Sequence, residues 1–200
     1  TAMTISGKSV KIATRSSHHG DLAHALTYIL EQYQALGVSV RRVAYKVRGK
    51  AMENIEATIL GSVNPQKVVV FGCHADSTAG RPWNVENKAP GADDDASGTV
   101  GVLELARAIK DMKLPFTVRL VHFTGEEQGL WGSYAYSDQV AAAKTDILAM
   151  VQVDMIGYCA KPGNRVDIHD GADKNGSHAL TVKFFRAVKR YGINLTPVDT

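Results

Sequence analysis

The sequence predicts an α/β fold, a three-layer α/β/α sandwich around a mixed, mostly parallel central sheet. Three observations carry that prediction. Short continuous apolar runs at 67–72, 116–123 and 147–153 suit strands buried on both faces. Amphipathic helical patterns lie between and around them. Strands that alternate with helices favour parallel neighbours joined by crossovers.

The elements run in this order. Leu22, Leu26, Ile29, Tyr33 and Leu36 recur at helical spacing, with Asp21 placed to cap the helix and Gly37 to end it. Residues 38–47 read as a strand, and 54–60 alternate like a half-buried one. A short loop joins the two, which predicts an antiparallel edge. Residues 61–65 turn the chain into the apolar run 67–72, and 77–91 read as loop. Val100, Leu103, Leu105, Ala106 and Ile109 give the helix at 97–112 its apolar face. The strand at 116–123 precedes a helix over 132–140, and 147–153 forms a third buried strand. A fourth strand is expected at 165–169, and a last helix at 176–191, with Leu180, Val182, Phe185 and Val188 apolar.

With 200 residues, the chain suits one domain spanning 1–200. Hydrophobic residues make up 44%, enough for a core, and the formal net charge is only +3. There is no basic block, so nucleic acid is not an expected partner. Lys46, Lys50 and the Arg41–Arg42 pair read as strand and turn decoration. No apolar stretch reaches the roughly 18 residues a membrane helix needs, so no membrane partner is expected either. Two cysteines, Cys73 and Cys159, are too few for a disulfide framework and leave their redox relation open.

Function is concentrated where strands end. In open α/β sheets, ligands bind beyond the carboxyl ends of the strands. After 67–72 comes HADS at 74–77; after 116–123 comes TGEEQGLWGS at 124–133; after 147–153 comes Asp154. The run PGADDDASG at 90–98 lies between the first of these strands and its helix. Three adjacent aspartates repel one another unless a cation compensates them. Neither Lys nor Arg accompanies these segments at the strand ends. Mixed histidine and carboxylate ligands suit Zn²⁺, with Mn²⁺ or Co²⁺ as substitutes, and one carboxylate can bridge two ions. Trp83, Trp131 and Tyr158 are candidates for lining a side-chain pocket.

These four motifs, in this order and at these intervals, resemble the co-catalytic zinc aminopeptidases of metallopeptidase family 28, as in bacterial leucyl aminopeptidase. The resemblance covers most of the chain and implies the zinc-exopeptidase version of the sandwich. It implies that Asp94 bridges two zinc ions across a cis Asp94–Asp95 peptide. His74 and Asp154 then complete the first metal's protein ligands, and Glu127 binds the second. Asp76 orients His74, and Asp95 supports the ligands without touching metal. Glu126 is the general base, taking a proton from water activated by the metals and passing it to the leaving amine. Asp93 is left as a loop or supporting carboxylate. The implied substrates are peptides with a free N-terminus, and the implied location is secreted or periplasmic.

The family's second metal also takes a histidine from a Ser-Asp-His loop, and no such segment occurs here. His169 and His178 stand outside the matching motif and read as structural or solvent-exposed. The chain is therefore expected to lack the C-terminal part of its catalytic domain. Two alternatives stay open: a single-zinc glutaminyl cyclase on the same fold, or a non-catalytic binding domain on that scaffold. The compact turn at 124–133 counts against the cyclase. A carboxypeptidase relative would need a basic residue near the site, and the sequence singles out none.

Overall fold

A computed structural model of the chain describes residues 2–160, 163–171 and 177–200. The chain divides into two compact units, one ending at Met155 and one running from Ile156 to Thr200.

The first unit contains β1 (Met3–Ile5), β2 (Lys8–Val10), α1 (Asp21–Ala35), β3 (Ser39–Val47), β4 (Lys50–Ile59), β5 (Asn64–His74), α2 (Ala96–Ile109), β6 (Phe116–Phe123), α3 (Trp131–Ala142) and β7 (Asp146–Gln152). The first two strands form a small hairpin, and the other five form one sheet in the order β3-β4-β6-β5-β7. The β3–β4 and β4–β6 pairings are antiparallel, and the β5–β6 and β5–β7 pairings are parallel. The sheet is mixed, as expected, with its parallel half confined to β5, β6 and β7.

The period-2 alternation of strands sorts the core onto two faces. Ile55, Ala57 and Ile59 of β4, with Val118 and Leu120 of β6, join Leu22, Leu26, Ile29, Val102 and Leu103 of α1 and α2. On the opposite face Val68 and Val70 of β5, with Val121 and Phe123 of β6, pack against Tyr136 of α3. Helices on both faces make the three layers.

Local chemistry explains most boundaries. Gly37 adopts φ +73, and Val38 N–H reaches back to Tyr33 O at 3.0 Å, closing α1 in the six-to-one pattern that a left-handed glycine permits. Asp21 does not cap α1, as expected from sequence, but is its first residue; its Oδ2 accepts from Ala13 N–H at 3.1 Å. The second strand starts at Lys50 rather than 54, because Arg48 (φ 48) and Gly49 (φ 78) make a two-residue turn with both centres left-handed. That turn sets the register Val47↔Lys50.

Strand β7 is not buried on both faces as its composition predicts. It is the edge of the sheet, and Ile147, Leu148, Met150 and Val151 remain exposed. In the second unit, β8 (Arg165–Ile168) pairs in parallel with β9 (Thr196–Asp199), a strand not anticipated from the sequence. The expected fourth strand therefore belongs to a separate two-stranded sheet. Helix α4 (His178–Arg190) carries the last predicted helix; the proposed start at Gly176 lies outside the described residues.

Candidate metal centre

Parallel β5, β6 and β7 end at one rim, and each hands the chain to a segment bearing ligand-type side chains. His74 is the last residue of β5. The turn 124–130 joins β6 to α3, and Asp154 comes two residues after β7. The triple aspartate leads into α2, and the Asp94–Asp95 peptide is cis, as the resemblance implies.

Two buried carboxylates tie these segments together. Asp95 caps α2: its Oδ1 accepts from Gly98 N–H at 2.8 Å and Met155 N–H at 3.3 Å, and its Oδ2 from His74 N–H at 3.0 Å. A side chain on Gly98 would drive its Cβ into Asp95 Oδ1, so the cap requires glycine there. Asp76 accepts from Ser17 Oγ at 2.9 Å and from the N–H groups of Glu126 and Glu127 at 3.2 and 3.4 Å. It thereby locks the catalytic-type turn to the end of β5. Its backbone carbonyl stands 3.2 Å from His74 Nδ1, closer than its carboxylate at 3.7 Å. The group orienting the ring is thus the Asp76 carbonyl, an arrangement that turns Nε2 toward the rim.

At that rim His74 Nε2 lies 3.0 Å from Asp94 Oδ1, 3.7 Å from Asp154 Oδ1 and 3.9 Å from Glu126 Oε2. His74 Nε2 and Glu127 Oε1 are buried yet have no hydrogen-bond partner. Two ligand atoms about 2.0 Å from a shared tetrahedral ion stand roughly 3.3 Å apart, and the Asp94 and Asp154 distances bracket that separation. Ligand-type atoms of His74, Glu126 and Glu127 also lie within 4.8 Å of one another, as do those of His74, Asp95 and Asp154. Asp95 is the weaker ligand candidate, because its oxygens already serve three backbone N–H groups. Asp94, with its side chain 45% exposed, is free to serve a cation.

The electrostatics show what the donor set lacks. Burial pulls the His74 pKa down, but the facing carboxylates of Asp154 and Asp76 outweigh it and push the ring up to about 11. Burial, then the charge of Asp94, pushes Glu127 up to about 7. Burial also raises Glu126, with His74 opposing. Carboxylates shifted toward their protonated form around a histidine shifted toward its own are the mark of negative charge with too little compensation. A bound cation would supply that compensation.

One basic group is present that the sequence does not single out. Arg15 packs beneath the triple aspartate, donating Nε–H to Ala75 O at 2.8 Å, Nη2–H to Gly91 O at 3.0 Å and Nη1–H to Pro90 O. Burial lowers its pKa against the pull of Asp76, Asp95, Asp94 and Glu127. The expectation of no basic neighbour is thus wrong, although one guanidinium does not balance those carboxylates together with Glu126 and Asp154. No sequence spacing flags Arg15, since its partners lie 60 to 76 residues away.

A cleft of about 170 Å³ opens beside Glu126 and Asp154, lined by Phe123, Leu130, Ser133, Met150 and Gln152. None of the aromatic pocket candidates lines it. Gly72 lies against three of the lining side chains: a Cβ there would run into Gln152 Oε1 and meet Phe123 Cε2 at 2.8 Å and Met150 Cε at 3.2 Å. Cys73 and Cys159 are not joined; the first is buried and the second exposed. His169 and His178 belong to the second unit, where Nδ1 of His178 is 3.0 Å from Asp170 Oδ2.

Comparison with known proteins shows the family. Residues 54–199 match the model of peptidase family M28, a span that holds every residue of the cluster. The chain belongs to peptidase family M28. Among curated relatives, a probable zinc metalloprotease of Pyrenophora tritici-repentis is 37% identical over 116 residues, 58% of this chain and 27% of its own length. A probable leucine aminopeptidase of Arthroderma otae is 36% identical over 148 residues, 66% of this chain and 40% of its own. The chain thus spans less than half the length of these relatives. Among solved structures, LapB of Legionella pneumophila superposes with a TM-score of 0.79 at 22% identity, over 94% of this chain and 50% of that one. A glutaminyl cyclase of Bacteroides thetaiotaomicron superposes with a TM-score of 0.74 at 17% identity, over 94% and 72%. The M28 fold is therefore common ground for peptidase and cyclase and does not by itself choose between them.

Proposed function

We propose that the chain carries the active site of a zinc-dependent aminopeptidase, which removes the N-terminal residue from peptides with a free amine. The observation that carries this reading is the buried, unpartnered His74 Nε2 facing Asp94, Asp154 and Glu126. His74, Asp94 and Asp154 would hold one zinc ion, and Glu127, with Asp94 shared, would hold a second. The family match across both units supports treating them as parts of one catalytic domain.

When bound, the zinc ions supply Lewis acidity to the scissile carbonyl and to water. The chain's own residues do the rest. Glu126 is half-buried at the cleft mouth and, being adjacent to a ligand rather than a ligand itself, is free to accept a proton from water. Water adds to the carbonyl carbon, the C–N bond breaks, and Glu126 returns the proton to the departing amine. Burial raises its pKa, a shift in the direction that strengthens it as a base. Asp76 holds the Glu126 N–H and so aims the carboxylate. The acidic rim attracts the substrate's ammonium group, and the cleft lined by Phe123, Leu130 and Met150 takes an apolar N-terminal side chain.

Product analysis tests the reading. Leu-Gly-Gly should release leucine, and its N-acetylated form should not. Pyroglutamate formed from a Gln-peptide without release of glutamine would place the chain with the cyclases instead.

A further inference from the structure

The β3–β4 turn lies at the same rim as the metal centre, because β4 runs antiparallel to β6 and its first residues extend past the end of β6. Arg48 at the tip of that turn is seated over two indoles, 5.0 Å from the Trp83 ring centroid and 5.8 Å from that of Trp131. The two rings meet edge-to-face at 5.7 Å, and the His18 ring packs against Trp131 at 6.1 Å. Trp131 closes the catalytic-type turn: its N–H donates to Gly125 O at 2.9 Å, and its Cβ lies 2.9 Å from where a Gly125 Cβ would sit. The platform therefore adjoins Glu126. Asn54 anchors it, bonding Thr124 N–H at 3.0 Å and Gly132 O at 2.9 Å.

Among the described residues, no carboxylate pairs with Arg48. The two indoles hold an exposed guanidinium whose fork of N–H donors suits a planar two-oxygen partner. Lys50, in the same turn, adds a second cation, held by Ser17 O. The rim thus has an acidic region around the metal centre and a basic, aromatic one beside it. A peptide that presents an ammonium group to the first presents its downstream end to the surroundings.

We propose that Arg48, on its Trp83–Trp131 platform, receives a carboxylate borne by the substrate on the leaving side of the scissile bond. This rests on the aminopeptidase reading. The carboxylate is either the C-terminus of a short peptide or an acidic side chain just beyond the cleaved bond.

The chain contains only two tryptophans, and both are in the platform, so its intrinsic tryptophan fluorescence reads the platform directly. The test titrates metal-free protein, which does not turn substrate over, with Leu-Gly-Gly and with its C-terminal amide. A second pair, Leu-Asp-amide and Leu-Asn-amide, separates side-chain from terminal carboxylate. Wild type should bind at least one acid form about fivefold more tightly than its neutral partner, as expected for an exposed charge-assisted contact. Arg48→Gln should bring that ratio to one, and Arg48→Lys should restore only part of it. Equal affinities within both pairs in wild type, or a preference that survives Arg48→Gln, would overturn the proposal. The leucine-release assay is separate: its failure would count against the aminopeptidase reading and leave the acid-to-amide ratio to decide this one.

Discussion

His74 and His122 make an instructive pair. They lie on neighbouring strands, where Cys73 is opposite His122, and both are buried. His122 sits in a closed neutral network: Tyr33 Oη is 2.7 Å from its Nε2, and Cys73 Sγ is 3.0 Å from its Nδ1. Burial without a charged partner pushes its pKa down to about 3. His74 faces carboxylates, keeps an unpartnered Nε2 and is pushed up to about 11. Equal burial therefore yields opposite chemistry. What separates a core histidine from a ligand is the charge of its neighbours and whether its second nitrogen is satisfied.

The largest effect should come from the group nearest the reaction. Glu126→Gln should lower kcat by about a thousandfold, within the range for loss of a general base, while zinc content by atomic absorption stays at the wild-type value. A proportional loss of zinc would instead make Glu126 a ligand. Asp76→Asn comes next. It weakens the tie between His74 and the 126–127 turn, and zinc affinity should fall about 10- to 100-fold in a chelator competition.

His122 tests the other half of the comparison. Its folded pKa lies below its unfolded value, so the unfolded chain takes up the extra proton. The stability contributed by the neutral ring is complete above pH 6.5 and declines as pH falls toward 3. Roughly 2 kcal/mol should be lost through this group between pH 6.5 and 5. Urea unfolding of His122→Gln should show a correspondingly shallower decline over that interval. An unchanged decline would mean that His122 is not held neutral by the fold. The smallest effect should be that of Gly72→Ala. The atoms its Cβ meets are mostly the ends of flexible side chains, so KM for leucyl substrates should rise only a few-fold.

Much of the molecule is legible in its sequence, for identifiable reasons. The strand at 116–123 and the helices around it emerge from hydrophobic period, which depends on neighbours along the chain. The cluster of His74, Asp94, Glu126, Glu127 and Asp154 is legible because parallel strands deliver the segments at their carboxyl ends to one rim. Contacts made across the chain are not legible. Arg15 meets carbonyls far away in sequence, and Gly72 matters only because Met150 and Gln152 cross above it. The exposure of β7 runs against its composition, because an apolar run indicates a strand but not whether both its faces are covered. Arg48 lies between Lys46 and Lys50, in a stretch that reads as strand and turn decoration until the fold sets it on two tryptophans.

The decisive measurement is hydrolysis of leucyl-p-nitroanilide after chelation and again after zinc is added back, in wild type and His74→Ala. If zinc held by His74 drives the reaction, chelation abolishes nitroaniline release and zinc restores it in wild type alone. Activity that survives chelation, or zinc-restored activity in the His74→Ala variant, would contradict that role.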